Sequence, residues 1–232
     1  MFAIGAGGRV VATDDYSDTP VAARRLPKVG GVQPNVERIA AARPDLVLSL
    51  TTSNHPVLAS SLGAAGIPLY VVRTDRLADV PRVMKSLGRL LGAPAADAAA
   101  ARLRAAVDMH RRSRPRRPRV LFVIWTEPLY VAGRETFADD LLSLCGGENA
   151  VRAKGWPQYS LESVAASPPD IILYPDKSVQ PQQVAALLHA VPPLAGATVV
   201  AVNENLFTRP GPRIAEAAEA LDRIFDEWEK TH

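Results

Sequence analysis

Aromatic residues with polar tips and isolated cations, set in loops or at the ends of apolar runs, are the side chains of this sequence best suited to chemistry. They are Tyr16, Trp125 with Tyr130, Trp156, and Phe207 with Arg209, to which the polar stretch 51–55 adds His55. Such residues bury a large area at low entropic cost and still hydrogen-bond, so they suit the capture of a large flat ligand. Each has a second reading. Trp125 ends an apolar run, where core packing competes with ligand contact, whereas Trp156 stands in a Lys-Gly-Trp-Pro turn that is harder to bury. His55, in Asn-His-Pro, either caps the helix that follows or offers a neutral imidazole to a metal, and no second metal-competent residue is paired with it by spacing. The chain contains no HExxH, no paired cysteine ligands, no nucleophile elbow and no Walker loop, so binding rather than catalysis is expected.

The elements that must position these residues are announced by a duplicated stretch. QPNVERIAAARPDLVL, residues 33–48, returns as QYSLESVAASPPDIIL, residues 158–173. Both copies read as helix, turn and strand. Asn35 and Ser160 are N-cap types, and Glu37 and Glu162 fall in the first turn, where the helix dipole favours a carboxylate. Pro44 and Pro169 stop the helices, because the residue before a proline is pushed out of the α region. The apolar runs 46–50 and 171–174 then read as strands buried on both faces. Internal self-similarity of this kind predicts two parallel α/β lobes.

Between the copies, residues 79–91 carry the apolar spacing of an amphipathic helix, stopped by Gly92-Ala93-Pro94. Residues 95 to about 113, dense in alanine and arginine, predict a second helix of roughly 28 Å that could bridge two lobes. The second lobe opens with a strand at 120–124, followed by a helix at 137–144. At the start of the chain, Gly5-Ala6-Gly7-Gly8 closes a helix and precedes a strand at 9–12, which is the wrong context for a dinucleotide loop. Lobe symmetry leads us to expect a further strand and the start of a helix before Met1, and a secretion signal upstream of them. The expected organisation is an N-terminal α/β lobe at 1–76, a helical segment at 77–118 and a C-terminal α/β lobe at 119–232.

Composition narrows the function classes. The net charge of +3 is more than accounted for by Arg111, Arg112, Arg114, Arg116, Arg117 and Arg119, so the chain is not built as a general nucleic-acid binder. That basic run reads as a solvated helix end, or else as a surface for an acidic partner. No apolar run approaches the roughly 20 residues of a membrane-spanning helix. A lone Cys145 excludes an internal disulfide.

Taken in order, several stretches resemble the cobalamin-type substrate-binding proteins of ABC importers, a family of two α/β lobes joined by a rigid backbone helix. They are Tyr16-Ser17-Asp18-Thr19-Pro20, Val29-Gly30-Gly31 leading into Asn35-Val36-Glu37-Arg38-Ile39, and Pro44-Asp45-Leu46-Val47. In the second half they are residues 127–133, Cys145-Gly146-Gly147-Glu148-Asn149, Trp156-Pro157-Gln158, and Phe207-Thr208-Arg209 with Pro212-Arg213. The resemblance implies two Rossmann-like lobes with central parallel sheets and a class III periplasmic binding protein. It places ligand contacts on Tyr16, Tyr130, Gly133, Trp156 and Arg209. Leu50 stands where the best-known cobalamin binder has tryptophan, and a further aromatic near Gly31-Val32 is absent, so the pocket is less aromatic. The implied ligand is cobalamin or a related corrinoid held in an interlobe cleft with little closure. The alternatives are haem or a ferric siderophore, or a cytoplasmic tetrapyrrole chelatase-like enzyme. The family also implies that Glu37 and Glu162 dock on the arginines of a permease dimer. It further implies an extracytoplasmic monomer that carries no cofactor of its own and binds no nucleic acid.

Overall fold

The two copies of the duplicated stretch fold alike. In the computed structural model, which describes residues 1–51 and 56–231, helix α2 (Val36–Ala41) leads to strand β1 (Val47–Leu50), and helix α7 (Leu161–Ala166) to strand β6 (Ile171–Pro175). The Asn35 side chain accepts from the Arg38 amide at 2.8 Å, and the Ser160 hydroxyl accepts from the Ser163 amide at 3.1 Å. Each bond satisfies one of the orphan amides that a helix start leaves.

The chain divides into two compact units, Met1–Thr74 with Pro81–Ala101, and Asp75–Val80 with Arg102–His232. Stretch 77–118 is therefore shared between them, through helices α4 (Asp79–Leu90) and α5 (Ala96–Asp108). The first unit also contains α1 (Val21–Arg24) and α3 (Pro56–Ala64), and its sheet is a parallel pair, β1 with β2 (Leu69–Val72). Ile39, Leu58 and Leu62 fill its small core. β1 is not buried on both faces as expected: its first three residues are half-buried and Leu50, at its end, is 40% exposed. The strand expected at 9–12 is likewise not formed. Gly7–Arg9 make a 3₁₀ turn, the Arg9 guanidinium donates to the Leu91 carbonyl at the end of α4, and only Thr13 bridges, to Lys28.

The second unit holds the larger sheet, in the order β4 (Leu129–Val131), β3 (Arg119–Thr126), β6, β7 (Thr198–Val202), with β5 (Glu148–Asn149) also pairing with β3. β3, β5, β6 and β7 run parallel and only β4 is antiparallel. Helices α6 (Phe137–Leu144), α7, α8 (Pro181–Ala190), α9 (Glu204–Phe207) and α10 (Ile214–Thr231) complete it. Every residue of β6 is buried, as its uninterrupted apolar run requires of a central parallel strand. No described helix is long and apolar enough to cross a membrane.

The basic run 111–119 corrects its sequence readings at one position. Helix α5 stops at Asp108, short of 113; Arg111, Arg112, Arg116 and Arg117 stay exposed, but Arg114 turns inward onto α6 and α10. The Arg114 side chain, 6% exposed, donates to the Cys145 carbonyl and pairs with Asp226 at 2.7 Å, Glu229 at 3.0 Å and Asp222 at 3.4 Å. His110 Nδ1 lies 2.8 Å from Asp222, Arg117 donates to the Gly147 carbonyl, and Arg116 stacks on Trp228. Nothing in the alternation of arginine and proline could show that its partners are acids over a hundred residues away.

Candidate functional site

In open parallel sheets ligands bind beyond the carboxyl ends of the strands, and the second unit collects its polar aromatics there. Trp125 and Tyr130 face each other across β3 and β4 as Cα partners. The pairing register shifts between Val123 and Trp125, so Ile124 is an extra residue. This bulge decides the fate of Trp125. Val123, Val131 and Leu129 all enter the core; with regular alternation, Trp125 would share the face of Val123 and be buried. One inserted residue turns it to the face of Tyr130 instead. Trp125 is 44% exposed and Tyr130 38%, and the indole N–H donates to the Glu127 carbonyl at 3.0 Å.

Trp156, 46% exposed, is carried by a strap that follows β5 and runs beside β4. Gly133 donates to the Gly155 carbonyl at 2.8 Å, Arg134 to Ala153 at 2.8 Å, Gly155 to Arg134 at 2.9 Å and Val131 to Pro157 at 3.2 Å. Tyr130 bridges Gln158 directly. Gly133 is thus a backbone requirement of the strap: a Cβ there would lie 2.2 Å from the Ala153 carbonyl oxygen. Gly133→Ala should push the strap away and destabilise the protein by roughly 1–3 kcal/mol. Thermal melting checks the stability, and an unchanged melting temperature would mean that the strap yields freely.

Arg209 follows α9 at the same end of the sheet and is partly buried. Phe207 is a correction. It was expected to face a ligand, but it is only 3% exposed, its ring edge packed on Phe122 with centroids 6.2 Å apart at 78°. A four-residue helix turns it onto the sheet face and leaves Arg209 outside.

In the first unit, Tyr16 is 52% exposed on a loop whose supports were not singled out from sequence. Asp14 Oδ1 accepts from the amides of Tyr16 and Ser17, and the Lys28 ammonium donates to Thr13 Oγ1 and to the carbonyls of Asp14 and Ser17. Gly31 is pressed against the tyrosine ring, where a Cβ would come within 3.1 Å of it. Leu50 presents an exposed aliphatic side chain at the end of β1. His55 lies outside the described residues, as do positions 52–54.

Glu37 and Glu162 are both exposed, each the second residue of its helix. The Glu162 carboxyl is held below the ordinary glutamate range by its own amide N–H and by the Ser160 hydroxyl. A depressed folded-state value means that this stabilisation is present above the ordinary glutamate value. It is lost as pH falls through the lower folded one. An NMR titration should show Glu162 protonating below an ordinary glutamate, and Ser160→Ala should raise its midpoint; an unmoved midpoint would contradict the cap.

Among the described residues no group of three or more His, Cys, Asp or Glu is arranged for a metal. Burial pushes the Cys145 thiol far up, away from the thiolate a nucleophile needs. Known proteins give the arrangement its context. Over 228 residues the chain is 35% identical to the vitamin B12-binding proteins of Yersinia pestis (strain Pestoides F) and Yersinia pseudotuberculosis serotype O:1b, covering 95% of this chain and 80% of each relative. It resembles the periplasmic heme-binding protein of Roseiflexus sp. RS-1 in apo form with a TM-score of 0.86 and 27% identity, over 98% of this chain and 93% of that one. The periplasmic vitamin B12 binding protein of Vibrio cholerae matches with a TM-score of 0.80 and 25% identity, over 99% and 92%. Residues 1–203 match the periplasmic binding proteins as a family. A duplicated α/β plan that displays aromatic rings at the carboxyl ends of its strands, without reactive groups, thus finds its place: the chain belongs to the periplasmic binding protein family, extracytoplasmic ligand carriers that serve ABC importers and catalyse no reaction themselves.

Proposed function

We propose that this protein captures cobalamin or a related corrinoid and delivers it to the permease of an ABC importer. The observation that carries the reading is the set of three exposed rings, Trp125, Tyr130 and Trp156, set at one end of the second unit's sheet by a bulge and a strap. Flat aromatic faces suit the face of a tetrapyrrole, and the Arg209 guanidinium suits its peripheral amides or phosphate. In the first unit, Tyr16 and Leu50 are exposed apolar side chains suited to the same kind of ligand. The metal arrives with the ligand, and the carrier works as a monomer without a cofactor. Higher sequence identity to the vitamin B12-binding relatives puts a corrinoid first. The similarity to the heme-binding protein of Roseiflexus favours haem as the second reading. Gel filtration after incubation with excess cyanocobalamin should show corrinoid absorbance eluting with the protein, and clean separation of the two would oppose the assignment.

Delivery assigns the carboxylates of Glu37 and Glu162, one on each unit, to arginines of the permease. Charge complementarity of this kind sets orientation and association rate more than it sets affinity. Reversing both to lysine is expected to abolish uptake into vesicles containing the transporter while leaving corrinoid affinity within about twofold, since both carboxylates stand exposed at helix starts. Lost ligand binding in that variant would refute the docking role.

A further inference from the structure

We propose that Asn149 is a positioning residue for the ligand, fixing the strap that presents Trp156; this rests on the reading of Trp156 as a ligand contact. Asn149 is 7% exposed and lies on β5, where no ligand can reach it. Its amide is nonetheless fully used. Nδ2 donates to the Ala132 carbonyl at 3.2 Å and to Asp139 Oδ1 at 3.1 Å, and Oδ1 accepts from the Val151 amide at 2.9 Å. One side chain therefore joins the two backbones that must stay in register: Ala132 precedes Gly133, and Val151 opens the strap that ends at Trp156.

The surrounding bonds extend the same lock. Asp139 Oδ2 accepts from the amide of Glu135, a non-glycine residue held at φ 63°. Buried Thr136 caps α6 through the Asp139 amide and donates from the same hydroxyl to the Gly133 carbonyl at 2.8 Å. A left-handed residue other than glycine persists only where its surroundings over-determine it, and such places cluster at ligand clamps. Asp140, the next residue, binds the Arg76 guanidinium and the Leu77 amide, so the start of α6 is anchored on both sides. A hydrogen-bond network centred on two buried polar side chains, Asn149 and Thr136, makes a rigid support. The exposed strap contributes few apolar contacts of its own and depends on that support.

The substitution Asn149→Asp keeps the shape but replaces two donors with an acceptor facing the Ala132 carbonyl and the Asp139 carboxylate. Asn149→Ser serves the same purpose should the aspartate variant not fold. The swap Asn149→Asp with Asp139→Asn restores a donor between positions 149 and 139. Each protein is labelled with 5-fluorotryptophan, which gives one fluorine resonance for each of Trp125, Trp156 and Trp228, and is then mixed with cyanocobalamin or haemin in stopped flow. The Trp156 resonance is expected to shift or broaden in the single variant while that of Trp228 stays. Ligand dissociation should accelerate roughly tenfold with association little changed, and the swap should recover most of both effects. A folded variant with an unmoved Trp156 resonance overturns the positioning role. A perturbed Trp156 resonance with unchanged dissociation of both probes overturns it as well, because Trp156 is then no ligand contact. Should the unaltered protein bind neither probe, the functional reading falls, and the fluorine comparison still decides whether Asn149 holds the strap.

Discussion

Replacing Trp125 and Trp156 together with alanine is expected to weaken corrinoid binding at least a hundredfold while the melting temperature stays within a few degrees. Both parts follow from position. Each indole is nearly half exposed, so truncation opens no core cavity and removes little folding energy. Tryptophans at the centre of a contact are typical anchors, each worth about 2 kcal/mol or more, so the pair exceeds the roughly 2.8 kcal/mol that corresponds to a factor of a hundred. Trp228, by contrast, is 5% exposed in the core beside Arg116. Trp228→Ala should reverse the pattern, lowering stability by about 3–5 kcal/mol in the intact ligand-free protein. Calorimetric titration beside thermal melting separates the two outcomes. A double variant that binds normally would show that the aromatic surface does not hold the ligand.

An equally large effect on stability is expected from Arg114→Ala. The guanidinium is almost fully buried, with three carboxylates around it and its Nε on the Cys145 carbonyl, and it stacks over Phe225. Removing it leaves Asp222, the most buried of the three, to share only His110 and Arg112. Breaking a buried ion pair from one side costs about 3–5 kcal/mol, because the surviving charge has already lost its water. For a chain of this size that lowers the melting temperature by roughly 10 °C. Arg114→Lys should recover only part of the loss, since an ammonium cannot copy the planar fork that reaches Asp226, Asp222 and Cys145 at once. Differential scanning calorimetry checks both variants, and a shift below about 2 °C for the alanine would show that the cluster is solvated.

The duplicated stretch made much of this fold legible. Its cap residues, its prolines and the apolar runs after them correspond to α2–β1 and α7–β6 within a residue, because local hydrogen bonding and the rule against helix before proline act over a few positions. Long-range partners were not legible. Arg112 and Arg114 find their acids on α10, and the exposure of β1 depends on what packs over its faces, neither of which leaves a periodic trace. The site divides in the same way. Trp156 could be read as exposed from its own turn, but Trp125 could not, since its exposure hangs on a one-residue bulge at Ile124 that alternation does not reveal. Phe207 misled because its helix is too short to show a face. Asn149 carried only a faint signal, a polar residue following Gly146-Gly147 where the chain turns into a buried strand.

Isothermal titration of the purified protein with cyanocobalamin, haemin and a ferric siderophore, one at a time and then in competition, tests the proposed corrinoid binding. One cyanocobalamin per chain should bind saturably, without displacement by the siderophore, and the Trp125/Trp156 double variant should lose it. No heat with cyanocobalamin, beside tight binding of haemin or the siderophore, would contradict the proposal.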